Sequence, residues 1–138
     1  MKRPSVVVGS SNPERLLRFF ADIGWRVEGD AVRTPGSRWF GVRHEPAPPR
    51  LELALSMPDP LHVDEVLEVV DHVGGILMEP PQETAYGSWG GTFNDPDGNV
   101  WELGAPETVT AHDARLGGFR PPGDGPIVAL AVARRASR

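Results

Sequence analysis

The stretch Gly90-Gly91-Thr92-Phe93-Asn94-Asp95-Pro96-Asp97-Gly98-Asn99-Val100-Trp101-Glu102-Leu103 leaves the chain little choice of local structure. At its centre, Asp95-Pro96-Asp97-Gly98-Asn99 has the chemistry of a tight reversal. Proline presets φ, aspartate bonds back to its own backbone, and glycine or asparagine accepts a positive φ. Thr92-Phe93 before the turn and Val100-Trp101-Glu102-Leu103 after it read as two antiparallel strands. Side chains alternate across a strand, so Val100 and Glu102 share one face while Trp101 and Leu103 take the other. With the Trp101 face packed on helices, Glu102 becomes a carboxylate held on the opposite, cupped face of a sheet.

The rest of the chain reads as a duplication. Val6-Val7-Val8 is a short strand of buried type. Asn12 caps a helix that begins at Pro13, carries Leu16, Phe19, Phe20 and Ile23 at three- and four-residue spacing, and stops at Gly24. Farther on, Leu51, Leu53 and Leu55 alternate with Glu52, Ala54 and Ser56 as a strand. Asp59-Pro60 then opens a helix with the stripe Val63, Val66, Leu67, Val70 and Val73, ended by Gly74. Residues 16–24 and 66–74 align at a constant offset of 50, and each helix is followed by a strand, at 25–28 and at 76–79. Gly36-Ser37-Arg38-Trp39 and Gly87-Ser88-Trp89 open comparable stretches. Self-similarity at this period implies two β-α-β-β-(β) units. The first unit reads as one strand short, because the proline-rich residues 45–49 lead from 38–44 directly into the next unit. A shortened unit leaves an open edge, which a homodimer would cover.

Phe93-Asn94-Asp95-Pro96-Asp97-Gly98-Asn99-Val100-Trp101-Glu102-Leu103 resembles the closing hairpin of the glyoxalase / bleomycin-resistance / extradiol-dioxygenase superfamily, the vicinal-oxygen-chelate fold. Thr84-Ala85-Tyr86-Gly87 is similar to the turn before that hairpin, and residues 63–75 to the module's helix. The resemblance covers most of residues 5–104. It implies an α+β fold of two paired βαβββ-type modules, about 4–49 and 50–104, forming a cupped, mostly antiparallel sheet with helices on its outer face. Residues 105–138 form a C-terminal extension. Gly117-Gly118-Phe119-Arg120-Pro121-Pro122-Gly123-Asp124-Gly125-Pro126 has the composition of a linker, and the apolar residues 127–132 add a strand or pack across a partner subunit.

Enzymes of this superfamily bind a divalent metal through His and Glu side chains from both modules, and the metal acts as a Lewis acid on two adjacent substrate oxygens. Carried over residue by residue, only Glu102 matches. The first-strand position of module one falls at or near Ser5, and that of module two at Leu55 or Glu52; none of these is His. His62 and His72 belong to a helix, His112 to the tail, and His44 ends a strand. A divalent site from His44, Glu52 and Glu102 is an alternative, but one imidazole with two carboxylates departs from the family's set. The expectation is therefore no metal cofactor. Metal-free members of the superfamily bind ligands in a groove often shared between subunits. Trp39, Tyr86, Trp89 and Phe93 are candidate walls of such a groove, Arg43 a candidate cation, and Glu102 the polar anchor.

Composition excludes several function classes. Zero cysteines remove disulfides, thiol nucleophiles and Cys-ligated zinc, and a net charge of −5 gives no general attraction to nucleic acid or an anionic membrane. The sequence has no signal-peptide pattern, no membrane-length apolar run, no G-x-G-x-x-G, Walker A, G-x-S-x-G or H-E-x-x-H. The expectation is a cytoplasmic homodimer that binds a small organic molecule without a metal, in a resistance or sequestering role. The alternatives are a metal-dependent lyase, isomerase or dioxygenase of the same superfamily, and a non-catalytic interaction protein.

Overall fold

The computed structural model describes residues 6–36, 38–85, 87–106 and 128–131. The first unit runs β1 (Val7–Ser10), α1 (Pro13–Asp22), β2 (Arg26–Glu28), β3 (Ala31–Arg33) and β4 (Trp39–His44). The second runs β5 (Leu51–Ser56), α2 (Pro60–Val69), a 3₁₀ turn (Val70–His72), β6 (Ile76–Glu83), β7 (Ser88–Asn94) and β8 (Val100–Pro106). The strands form two sheets, ordered β1-β4-β3-β2 and β6-β7-β8-β5-β9, with β9 at Val128–Ala131. In each unit the first strand lies parallel to the last and the other pairings are antiparallel. Among the described residues no helix is long and apolar enough to cross a membrane.

The first unit is complete rather than one strand short. Gly29, at φ +63, and Asp30 reverse the chain between β2 and β3, and three-residue strands are too short to show a period of two in the sequence. The repeat shifts accordingly. Trp39 opens β4, the last strand of its unit, whereas Ser88 opens β7, the third of the other. The helix stops Gly24 and Gly74 do correspond, at φ +97 and +109. The caps do not keep the same offset: Asn12 accepts from Arg15 N and Asp59 from His62 N, and the 3₁₀ turn supplies the second unit's extra residues before its stop.

The two units share one core. Phe20 of α1 lies edge-on to Phe40 of β4 at 5.1 Å and to Trp101 of β8 at 5.4 Å, and stacks on Trp25 at 5.5 Å. Phe40 and Trp101 also meet directly, at 5.1 Å, and Phe19 reaches Phe93 of β7 at 5.8 Å. Aromatic pairs at such separations contribute about 0.5–1.5 kcal/mol each beyond the area they bury. Leu53, Leu55, Leu103, Val63, Val66 and Leu67 continue this core on the α2 side. Each sheet thus turns one face inward and leaves the other open. The alternation expected for β8 holds: Trp101 and Leu103 are buried and Glu102 is exposed.

The β7–β8 turn is fixed by a buried carboxylate. One oxygen of Asp95 accepts from the backbone N–H of Asp97 at 2.9 Å and of Asn99 at 3.0 Å. The other accepts from the Asn99 side-chain amide at 3.0 Å and the Trp101 indole N–H at 2.9 Å. Asn99 in turn accepts from Leu51 N at 2.9 Å, and Arg15 of α1 ion-pairs with Asp97, so the turn is tied to β5 and α1. Burial pushes the Asp95 carboxyl above its ordinary value of 3.8, against the pull of those donors. The native state then holds this proton more tightly than the unfolded chain, so the contribution of Asp95 to stability falls as pH rises from 3.8 through the raised value and is level above both. In Asp95→Asn an amide N–H₂ replaces an oxygen that faces two donors. Urea titration should show a loss of about 2–4 kcal/mol at neutral pH and the disappearance of this slope from the difference between variant and parent.

Candidate functional site

The open face of the five-stranded sheet carries the candidate site. A cleft of about 220 Å³ is lined by Glu52, Leu53, Ala54, Thr92, Val100 and Glu102. A second, of about 270 Å³, shares Thr92 and Glu102 and extends over Glu79, Gln82 and Glu83 towards β6. Register explains the grouping. The turn pairs Asn94 with Val100, hence Thr92 with Glu102, while β5 sets Glu52 opposite Val100 and Ala54 opposite Glu102. Direct cross-strand partners share a face. Thr92 Oγ1 donates to Glu79 Oε1 at 3.1 Å, which orients one carboxylate beside the exposed Glu102. The wall is therefore acidic and hydroxyl-bearing over an aliphatic floor. It suits a ligand that carries positive charge or hydrogen-bond donors.

The other sheet's open face carries three arginines, and Arg26 and Arg33 also border a cleft with His62 and Glu65 of α2. Arg26, Arg33 and Trp39 stand in one cross-strand row of β2, β3 and β4, and Arg43 lies farther along β4 on the same face. The Arg33 guanidinium sits 5.9 Å from the Trp39 ring centre, a cation–π contact. Arg26 pairs with Glu28 at 2.9 Å and Arg43 loosely with Glu45 at 3.5 Å.

The residues expected to line one groove are thus dispersed. Glu102 faces the acidic cleft, and Trp39 and Arg43 belong to the open face of the other sheet. Phe93 is not a wall of either cleft. It is fully buried, because alternation along β7 sends Thr92 outward and its neighbour into the core. Trp89 lies on the helix side of β7, with its indole N–H bonded to Asp64 of α2 at 2.8 Å and its ring packed against the core. Tyr86 and Ser5 lie outside the described residues. Thr92 and Glu79 were not singled out in the sequence. Counting outward from the turn reaches Thr92 opposite Glu102, but nothing local marks Glu79, which β6 brings in across a register shift.

The donor set does not fit the metal the fold family implies. Among the described residues no three His, Asp or Glu side chains come together to hold an ion. Glu52 and Glu102 do border the same cleft, but His44 ends β4 in the other sheet, exposed.

No protein-family model and no curated protein matches the sequence. Solved structures do match the fold. A glyoxylase/bleomycin resistance protein/dioxygenase domain from a Frankia species aligns with a TM-score of 0.60 and 20% identity, over 78% of this chain and 99% of that one. TioX from a Micromonospora species aligns with a TM-score of 0.60 and 16% identity, over 76% and 98%. A glyoxalase/bleomycin resistance protein from Albidiferax ferrireducens gives 0.58 and 19%, over 72% and 94%. The chain therefore has the glyoxalase/bleomycin-resistance fold: α+β, with two βαβββ units.

The position of Trp89 makes it structural rather than ligand-lining. Trp89→Phe should lower stability by about 1 kcal/mol in urea titration through loss of the bond to Asp64. It should leave the affinity for any ligand of the Glu102 cleft unchanged; a loss of affinity without a loss of stability would contradict this placement.

Proposed function

We propose that this chain binds a small organic molecule without a metal, in the manner of the resistance or sequestering proteins of the glyoxalase/bleomycin-resistance fold, and does so as a homodimer. The observation that carries the proposal is the cleft built on Glu102, Thr92 and Glu79, open on one side and without a set of three metal-binding side chains among the described residues. Clefts of about 220 and 270 Å³ are small beside the roughly 300–1,000 Å³ of most organic-ligand pockets. A second wall would complete them.

A second copy offers that wall. The acidic face bearing Glu52, Glu79 and Glu102 and the basic face bearing Arg26, Arg33 and Arg43 turn away from one another within a chain, because both sheets pack inward on the same aromatic core. A two-fold pair would bring the basic face of each copy to the acidic face of the other. This would reunite Trp39 and Arg43 with Glu102 in one groove, with complementary charge guiding the encounter.

A metal-dependent lyase, isomerase or dioxygenase is favoured only by the shared border of Glu52 and Glu102, a pair that a partner's side chains would have to complete. Elemental analysis after expression with Mn, Fe, Ni and Zn supplied, followed by exhaustive dialysis, should find no stoichiometric metal. One metal per chain would replace the binding protein with the enzyme. In a tryptophan-fluorescence screen of amine-bearing aromatic compounds, ligands should bind the parent and bind Glu102→Gln roughly ten- to a hundredfold more weakly, as expected for loss of a charged hydrogen bond. Equal affinity for both proteins would remove Glu102 as the anchor.

A further inference from the structure

Sheet edges offer unpaired backbone groups to other chains, and folded proteins blunt them with charge, proline, bulges, brevity or cover. Three edges here carry such devices of their own. β2 has three residues, with Arg26 and Glu28 exposed and paired at 2.9 Å. β6 holds Pro80 and Pro81, and its ladder to β7 is interrupted by two register shifts. β1 is blunted by brevity, with four residues.

Of these β5 has only the charge of Glu52. It is six residues long, carries no proline, and pairs with β8 in an unbroken register from Glu52 to Ser56, with Leu53 and Leu55 anchored in the core. Left bare, its outer edge would be a straight, rigid template for strand addition. It is covered by β9, antiparallel, with Leu51 opposite Ala131, Glu52 opposite Leu130, Leu53 opposite Ala129 and Ala54 opposite Val128. The covering segment, Val128-Ala129-Leu130-Ala131, has no charge and no proline, so its alternate amides can join the ladder, and its own outer edge is blunted by a length of four residues.

We propose that the outer edge of β5 is a strand-accepting interaction surface, and that residues 128–131 fill it within the same chain and thereby keep a second copy from extending the sheet there. The edge recognises an extended, apolar, proline-free segment through main-chain hydrogen bonds. The competing occupant is β5 of another copy, which presents the same edge across a two-fold axis.

The test uses the full chain. In Ala129→Pro/Leu130→Pro two amide donors are lost and the segment cannot continue a ladder. Light scattering over a wide concentration range should give one constant mass for the parent, whereas the variant's mass should rise about twofold or more with concentration, as strand addition at a bared edge requires. A synthetic peptide of residues 126–133 should return the variant to the parent mass. A variant with the parent's mass at every concentration would overturn the proposal, as would a rise in mass that the peptide does not reverse. Should the proline variant lose its circular dichroism, Leu51→Cys/Ala131→Cys decides instead, in a chain that has no other cysteine. Oxidation should close a disulfide within one chain on a non-reducing gel. A covalent dimer, or no disulfide, would show that β9 does not cover its own β5.

Discussion

The packing of Trp101 organises the molecule. Its ring is fully buried against Phe20, Trp25, Phe40 and Phe93, which come from both units, and its indole N–H is one of the four donors to Asp95. One side chain therefore joins the two sheets, the first helix and the hairpin turn. Truncating a residue of this kind typically costs about 3–5 kcal/mol, a large share of the stability of a small domain. The polar half of the constraint is as strict as the apolar half, since a buried carboxylate is tolerated only while its donors stay in place.

That shared core also decides where function can reside. Two sheets whose inner faces meet across Phe20 and Trp101 must direct their outer faces apart. One outer face collects Glu52, Glu79 and Glu102 beside Thr92; the other collects Arg26, Arg33 and Arg43 beside Trp39. Neither face is a closed pocket. Each chain thus presents an open face on each sheet rather than an enclosed site, and the proposed pairing of copies is what would join them. The same geometry accounts for the dispersal of the aromatic residues: rings on the inner side of β7 and β8 build the core, and among the described residues Trp39 stands on an open face.

The hairpin was legible because its signals are local. Turn residues, alternation and the identity of Trp101 and Glu102 suffice to set the antiparallel pairing and the face of each residue, and the structure keeps both. The helices were legible from caps, stripes and stops, down to Asn12 and Asp59. The third strand of the first unit escaped notice because Ala31–Arg33 is too short for a period, and its loss displaced the comparison of Trp39 with Trp89 by one strand. The candidate site was half legible. Glu102 follows from alternation, and Thr92 is reachable by counting from the turn. Glu79 depends on a bulged long-range pairing, and the placement of Phe93 and Trp89 on the inner face depends on which side the helices cover, a tertiary fact that composition does not carry.

The central claim is that the acidic face of one copy meets the basic face of another. The absence of native cysteine permits a direct measurement: spin labels placed on Arg43→Cys in one preparation and Glu102→Cys in a second, with the two mixed and the dipolar coupling recorded. A defined intermolecular distance spanning a ligand-sized groove is the predicted result. A decay with no intermolecular coupling would contradict the claim and leave each face to act alone.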